Sequence, residues 1–194
     1  MFDAHPLVGA LSRLSPEKGL DLLLAACAQL RASGVVLNLA VAGDGPEEAN
    51  LRRQAATLGL AKNVQFLGRI ADVAAFYQKI DLFVLASRPG SEGLPNVLLE
   101  AIREDVPVVA TSVAAVPEVL SQPWSGVLVA PNSCYALAGG ILEALKSGKS
   151  PEAKRARRAV TERFSLERRV ITHLRLYHEL LPRVGHEVRD IVSP

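Results

Sequence analysis

The central stretch of the chain, residues 80–101, reads IDLFVLASRPGSEGLPNVLLEA. Its apolar run Ile80–Ala86 predicts a buried strand, and the residues from Leu94 onward have the apolar spacing of an amphipathic helix. A loop rich in glycine and proline joins the two. At such a junction, free backbone N–H groups and the positive end of the helix point at one place. The stretch therefore predicts a strand, a loop and a helix that together form an anion-binding site.

Two glutamates accompany that helix start. Glu92 lies in the loop, and Glu100 is expected about 12 Å further along the axis of a regular helix. That span suits an elongated ligand with a phosphate in the middle and a hydroxyl-bearing group at each end, which is the shape of a sugar nucleotide. Each glutamate also has an ordinary explanation, because a loop glutamate is usually solvated and glutamate is a good helix former. The predicted buried stripe of the helix consists of Leu94, Val97, Leu98 and Ala101.

Strands and helices alternate along the whole chain. This alternation predicts a Rossmann-like, doubly wound parallel sheet of about six strands with helices on both faces. The predicted strands are Pro6–Leu11, Val35–Ala42, Asn63–Leu67, Ile80–Ala86, Pro107–Thr111 and Gly126–Val129. The predicted helices are Lys18–Ala32, Pro46–Leu58, Asp72–Gln78, Leu94–Arg103, Cys134–Lys146, Pro151–Arg163 and Leu166–Leu180.

Composition narrows the functional classes. Apolar residues make up 49% of the 194-residue chain and aromatic residues only 5%, which predicts the aliphatic core of a parallel sheet. The net charge of +2 gives no general attraction to nucleic acid. No apolar run reaches the length of a membrane span, and no signal-peptide pattern opens the chain. Cys27 falls on the apolar face of a predicted helix, which favours a buried free thiol and a cytoplasmic protein.

The loops after the strands are the candidate ligand-binding segments, because ligands of doubly wound sheets bind at the carboxyl ends of the strands. The first of these loops carries Arg13 just past a strand and Lys18 at a helix start. Two cations there suit a diphosphate, which arginine grips as a planar fork and lysine as a point charge. Taken singly, each is more often a solvated surface charge.

Several short segments are informative as an ordered set, although none of them is specific alone. They are SRLSPEKG at 12–19, AGDGP at 42–46, VQFLG at 64–68, DLFVLAS at 81–87, the Glu92/Glu100 pair, PVVAT at 107–111 and Pro117-Glu118. Together they resemble the C-terminal, nucleotide-sugar-binding domain of the GT-B retaining glycosyltransferases of family 4, the class known as group 1. The resemblance runs from Leu7 to about Leu181. It implies transfer of a sugar from a nucleoside diphosphate donor, with retention at the anomeric carbon.

The resemblance also implies roles for single residues. Arg13, Lys18 and Glu92 would form the catalytic set, in which the two cations hold the donor diphosphate and Glu92 contacts the hydroxyls of the donor sugar. Glu100 would bind the ribose hydroxyls. The other implied substrate-binding positions are Gly68, Arg69 and Ile70 around the base, and Gly93, Leu94, Pro95, Asn96 and Val97 near the distal phosphate. No cofactor is implied, and because the chain has no Asp-x-Asp signature no metal is expected.

The chain departs from the family pattern at three places where the family usually has glycine. Ser12 precedes the phosphate-binding arginine, Asp105 precedes the Pro-Val-Val strand, and Ala114-Ala115 precede the Pro-Glu pair. Glycine in such loops often supplies a positive φ or a close backbone approach. The departures therefore bear on donor binding and activity more than on the fold.

The family enzymes contain two Rossmann-like domains, and the resemblance covers one of them. We expect residues 1–182 to form the donor-binding domain, residues 183–194 a tail, and the helix at about 166–181 to cross to a missing N-terminal domain. We also expect the isolated chain to be inactive in sugar transfer. The side chains expected to lack their partner here are Leu174, Tyr177, His178 and Leu181.

The acceptor and the cellular position stay open. Residues 149–183 contain ten basic and four acidic residues, and family members often act on lipid-linked acceptors, so the acceptor is either lipid-linked or a saccharide. The basic charge of this segment has two explanations. One is a surface that faces the inner side of a membrane, which would make the protein peripheral there, and the other, better supported, is a solvated pair of helices. Two other functions are also compatible with the sequence: a nucleotide-sugar epimerase of GT-B architecture and a non-catalytic sugar-nucleotide-binding module.

Overall fold

The structure is a computed structural model that describes residues 5–90, 92–122 and 124–180. Within these residues, six strands form one all-parallel sheet in the order β3-β2-β1-β4-β5-β6. The strands are β1 Leu7–Leu11, β2 Asn38–Ala42, β3 Val64–Gly68, β4 Leu82–Leu85, β5 Val108–Thr111 and β6 Val127–Val129. The chain winds outward from β1 to β3 and then returns to β4 beside β1. This order confirms the predicted doubly wound sheet.

The helices before β6 occupy the crossovers between these strands, and the others follow β6. They are α1 Leu20–Ala32, α2 Glu48–Thr57, α3 Val73–Lys79, α4 Asn96–Arg103, α5 Val116–Val119, α6 Cys134–Ser147, α7 Pro151–Arg163 and α8 Leu166–Leu180, and a short 3-10 helix at Pro16–Lys18 precedes α1. Each element predicted from the sequence is present with ends shifted by a few residues. The 3-10 helix and α5 were not predicted, because a single turn is too short to establish an apolar period.

The start of α4 differs from the prediction in a way that matters for the site. The helix begins at Asn96, because Pro95 at the N-cap has an extended backbone with ψ 105°. Leu94 therefore lies before the helix with 38% of its surface exposed, and its predicted place in the buried stripe is wrong. Leu98, Ala101 and Ile102 form the buried face of α4 instead.

The core consists of two apolar layers, one on each face of the sheet. Alternate residues of a strand enter opposite layers, as when Phe83 packs with α3 and α4 while Val84 packs with α1 and α6. Cys27 lies in the α1 layer as a free thiol, as predicted, and its burial raises the pKa of the thiol to about 12. The thiol is therefore an inert core group at neutral pH.

Two of the three departures from glycine occur where the backbone has a positive φ. Asp105 has φ 58° and Ala114 has φ 45°, so glycine would be the less strained residue at both positions. The side chain of Asp105 has a hydrogen-bond partner, because Arg157 of α7 donates from Nε to Asp105 Oδ1 at 2.8 Å. Arg157 is almost fully buried and also donates to the carbonyl oxygen of Gly148 at 2.7 Å. The pair joins the turn before β5 to α7.

Helix α8 is the least integrated element. None of its residues is buried, and it presents apolar side chains such as Leu166, Ile171 and Tyr177 to solvent. Of the side chains expected to lack a partner, Tyr177 and His178 are exposed, Leu174 is half-buried and Leu181 lies outside the described residues. The predicted domain end at 182 and the tail 183–194 also lie outside them. Within the described part of the chain, no helix has the length and apolar character needed to cross a membrane.

The loop after β1 is held against β4 by a glycine. Gly19 has φ 63° between the 3-10 helix and α1, a conformation that side chains with a Cβ adopt at a cost of about 1–2 kcal/mol. A Cβ at this position would also overlap the backbone carbonyl of Ala86. Gly19 therefore permits the segment that carries Lys18 to pack directly on the end of β4.

We predict that Gly19→Ala lowers the free energy of unfolding by at least about 2 kcal/mol, because it combines a strained φ with a backbone overlap. Gly139→Ala is the matched control. Gly139 lies in the middle of α6, and a Cβ added there meets no atom within 4 Å. That control should gain about 0.5–1 kcal/mol. Urea denaturation of both variants checks the prediction, and equal stability of Gly19→Ala and the parent would contradict it.

Candidate functional site

Three loops at the carboxyl edge of the sheet are tied together through their backbones. The N–H of Ser12 donates to the carbonyl oxygen of Ala42 at 3.1 Å, and the N–H of Gly43 donates to that of Gly68 at 2.8 Å. The N–H of Leu14 donates to the carbonyl oxygen of Asp44 at 2.8 Å. The loops after β1, β2 and β3 therefore form one continuous backbone surface.

A cavity of about 540 Å³ opens on this surface. Arg13, Arg69 and Ile70 line it together, so the structure brings one predicted phosphate residue next to two predicted base-contacting residues. Arg13 is exposed, and its guanidinium makes no ion pair within the described part of the chain. Arg69 lies 3.5 Å from Asp44, but both side chains are more than half exposed, and such a pair contributes little stability.

Lys18 and Glu92 form an ion pair beside the cavity loops. Lys18 Nζ lies 2.6 Å from Glu92 Oε1, and the two side chains are only 19% and 10% exposed. The pair joins the 3-10 helix after β1 to the loop after β4. Two predicted site residues 74 positions apart in the chain therefore meet at one point. Partial burial makes this contact stronger than an exposed ion pair.

Glu100 has a partner that the sequence analysis did not identify. The hydroxyl of Tyr77, on α3, shares its single proton between the carbonyl oxygen of Val97 at 2.9 Å and Glu100 Oε2 at 3.3 Å. Burial, together with the nearby Glu100 carboxylate, raises the pKa of Tyr77 above its ordinary value, so the phenol remains a donor. In the sequence, Tyr77 is one aromatic in an apolar helix, and nothing there distinguishes it from an ordinary core residue.

The loop before α4 is exposed to solvent and leads to an uncapped helix end. Gly93, Leu94 and Asn96 are exposed, whereas Pro95 is buried. No side chain of the described residues caps α4. The first N–H groups of the helix are therefore available to an anion, as the sequence predicts for a strand, loop and helix start.

Arg88, which the sequence analysis did not identify, fixes the loop after β4 to the segment after β1. Arg88 donates from both terminal nitrogens to the carboxylate of Asp21 at 2.9 and 2.7 Å, and it also donates to the carbonyl oxygen of Pro16. Its backbone N–H donates to the carbonyl oxygen of Glu17 at 2.8 Å. The hydrogen bonds that Arg88 donates to Asp21 raise the pKa of the Arg88 guanidinium. Arg88 thus holds both ends of the segment that carries Lys18.

The residues of this edge have the donors and acceptors that suit an anionic ligand with hydroxyl groups. Among the described residues, no group of three histidine, cysteine, aspartate or glutamate side chains is placed to bind a metal. The edge offers the exposed arginines Arg13 and Arg69, the N-terminus of α4, and the carboxylates of Glu92 and Glu100, which contact Lys18 and Tyr77. Cations and N–H groups bind phosphate, and carboxylates accept hydrogen bonds from hydroxyl groups.

The chain is similar to known proteins in sequence and in fold. The sequence profile of the glycosyl transferases, group 1, matches residues 2–163. The chain is 33% identical over 148 residues to the GDP-mannose-dependent alpha-(1-6)-phosphatidylinositol monomannoside mannosyltransferase of Mycobacterium tuberculosis, covering 73% of this chain and 38% of that protein. It is 34% identical over 145 residues to the alpha-monoglucosyldiacylglycerol synthase of Streptococcus pneumoniae, covering 74% of this chain and 32% of that protein.

The fold of the chain is also similar to that of a solved structure. The crystal structure of Anabaena Alr3699/HepE in complex with UDP superimposes with a TM-score of 0.78 at 27% identity, covering 89% of this chain and 49% of that one. The chain thus spans less than half the length of the curated relatives and of this structure.

Proposed function

The chain belongs to the group 1 glycosyl transferases, and we propose that it is the part of such an enzyme that binds the nucleoside diphosphate sugar donor. The observation that carries the proposal is the contact of Lys18 with Glu92, because Lys18 lies on the same loop as Arg13, which lines the cavity. A cation and a carboxylate in contact at a ligand-binding sheet edge match a donor whose phosphate and sugar are adjacent. The UDP complex of the Anabaena protein supports the same ligand class.

We assign the binding roles along an extended donor. Arg13 and Lys18 hold the diphosphate, and the backbone N–H groups of Gly93, Leu94, Asn96 and Val97 around the start of α4 face its distal phosphate. Glu92 accepts hydrogen bonds from the sugar hydroxyls. Glu100, held by Tyr77, accepts them from the ribose. The base lies against residues 68–70.

The chemistry assigned to this edge is stabilisation of the leaving group. In sugar transfer, the bond between the anomeric carbon and the diphosphate oxygen breaks, and negative charge grows on the diphosphate. Arg13, Lys18 and the N-terminus of α4 supply positive charge and N–H donors that stabilise this negative charge, so the proposed mechanism needs no metal ion. The proposal includes retention at the anomeric carbon, as the family resemblance implies.

We also propose that transfer requires a second domain. The relatives named above are more than twice as long as the aligned part of this chain, and α8 presents apolar side chains without a buried contact. An N-terminal domain packed across the donor edge would supply the acceptor site and exclude water. The two free cysteines favour a cytoplasmic protein.

The first prediction concerns the diphosphate. Arg13→Ala should weaken binding of UDP or GDP by roughly 1.5–3 kcal/mol, because it removes charge-assisted hydrogen bonds. The nucleosides uridine and guanosine should bind the variant and the parent alike. Arg155→Ala, which removes an exposed arginine from α7, is the matched control and should change neither affinity. Isothermal titration decides, and the assignment of Arg13 fails if the variant binds the diphosphate as tightly as the parent.

The second prediction separates the two glutamates. Glu100→Gln should weaken binding of the bare nucleoside diphosphate by about 1–2 kcal/mol, because a neutral amide is a poorer acceptor for the ribose hydroxyls. Glu92→Gln should leave that affinity unchanged or raise it, since it removes a negative charge 2.6 Å from Lys18. Titration of both variants tests the division of roles, which is wrong if both lose diphosphate affinity to the same extent.

The third prediction concerns sugar transfer by the isolated chain. The purified 194-residue chain should bind a sugar nucleotide but transfer no sugar to saccharide or lipid-linked acceptors, because half of a cleft provides no acceptor site. Mass spectrometry of acceptors incubated with UDP-glucose or GDP-mannose checks this. Efficient product formation without any other polypeptide would show that a second domain is unnecessary.

A further inference from the structure

Ser87 has a buried hydroxyl group with a defined partner in the proposed donor site. It lies two residues after β4 and is only 1% exposed. Its Oγ donates to Glu92 Oε1 at 2.5 Å. Its backbone carbonyl accepts a hydrogen bond from Thr111 Oγ1, at the end of β5, at 2.7 Å. The backbone of Ser87 is therefore anchored to the ends of β4 and β5, whereas Glu92 belongs to an irregular loop.

The contacts of Glu92 are unequal at its two carboxylate oxygens. Oε1 receives both the Ser87 hydroxyl at 2.5 Å and the Lys18 ammonium at 2.6 Å. No hydrogen bond to Oε2 is found among the described residues. One oxygen is thus fixed by the protein, and the other remains available as an acceptor for a ligand hydroxyl.

We propose that Ser87 is a positioning residue that fixes Glu92 for contact with the donor sugar. The inference rests on the proposed function, because it names a further residue of the same site. A flexible glutamate side chain in a glycine-rich loop loses rotamer entropy when it binds a ligand. Fixing Oε1 beforehand removes much of that cost and presents Oε2 in one orientation.

Lys18 cannot perform this role alone, because the proposed function also uses its ammonium for the diphosphate. A lysine has three donors on a flexible stem, and its position changes with the charge it meets. Ser87 is neutral and anchored to β4 and β5, so its hydrogen bond persists whether or not phosphate is present. The two donors therefore divide the work: Lys18 links the sugar site to the phosphate site, and Ser87 keeps the orientation of Glu92.

The test compares each nucleotide with its sugar conjugate. The affinity ratio of UDP-glucose to UDP, and of GDP-mannose to GDP, measures the contribution of the sugar. Ser87→Ala should lower this ratio about three- to tenfold, with the affinity for UDP or GDP changed less than twofold. Ser125→Ala is the matched control, because it removes an equally buried serine hydroxyl, bonded to the carbonyl of Gln122, at the opposite edge of the sheet. It should leave the ratio unchanged.

A double-mutant cycle shows whether Ser87 acts through Glu92. In a Glu92→Ala background, Ser87→Ala should cause no further loss of the ratio, because the group that it positions is absent. If Ser87→Ala does not fold, as judged by circular dichroism, Ser87→Cys preserves the volume with a weaker donor and should lower the ratio in the same direction.

The outcomes separate this inference from the proposed function. In one outcome, the parent protein binds the sugar nucleotide more tightly than the nucleotide, while Ser87→Ala or Ser87→Cys leaves that affinity ratio unchanged. This result overturns the role of Ser87 and leaves the proposed function standing. An equal further loss in the Glu92→Ala background also overturns that role, since Ser87 would then act elsewhere. A parent protein that gains no affinity from either sugar contradicts the proposed function, and this inference with it.

Discussion

The packing of the loop after β1 against the loop after β4 is the constraint on which the rest of the site depends. Gly19 lies against the carbonyl of Ala86 with a backbone conformation that few other residues adopt. Arg88 then fixes the same two loops by gripping Asp21 and by donating its N–H to Glu17. Because β1 and β4 are neighbours at the switch point, these contacts bring Lys18 to within 2.6 Å of Glu92.

This constraint gives the two cations of the site different properties. Lys18 has a carboxylate beside it in a partly buried position, so its charge is balanced before a ligand arrives. Arg13 stands exposed at the cavity with no ion pair in the described part of the chain. Under the proposed function, an incoming diphosphate would meet Arg13 as an open charge and Lys18 as a charge shared with Glu92. In this account, phosphate and sugar binding are coupled through Lys18, and Ser87 keeps the carboxylate in place.

Much of the fold was predictable from residues alone, because alternating apolar runs and amphipathic segments determine a parallel sheet. The sequence also predicted that Lys18 and Glu92 lie at the same edge of the sheet, because they follow β1 and β4. The start of α4 was not predicted correctly, because Leu94 fits the apolar period and only the extended backbone at Pro95 excludes it. Tyr77 and Arg88 were missed because their partners, Glu100 and Asp21, are distant in sequence. Long-range pairs of this kind leave no local pattern.

The departures from glycine show how the chain accommodates strain. At Asp105 the positive φ coexists with a hydrogen bond from the buried Arg157, so the side chain that strains the turn also anchors α7. At Ala114 the small side chain keeps the loop compact, and the neighbouring Ala115 N–H donates to the carbonyl of Gly93 at 3.4 Å. The loop after β5 therefore still contacts the donor-side loop. These substitutions are compatible with the donor edge as it stands.

Mapping of backbone amide shifts by NMR is the most direct test of the central claim that the carboxyl edge of the sheet binds a nucleoside diphosphate. Titration with UDP and with GDP should shift the amides of Gly43, Gly68, Gly93 and Asn96 in a saturable manner, because these groups surround the cavity and the start of α4. The account is contradicted if neither nucleotide produces saturable shifts there, or if the shifts cluster at the opposite edge around Asp81 and Lys149.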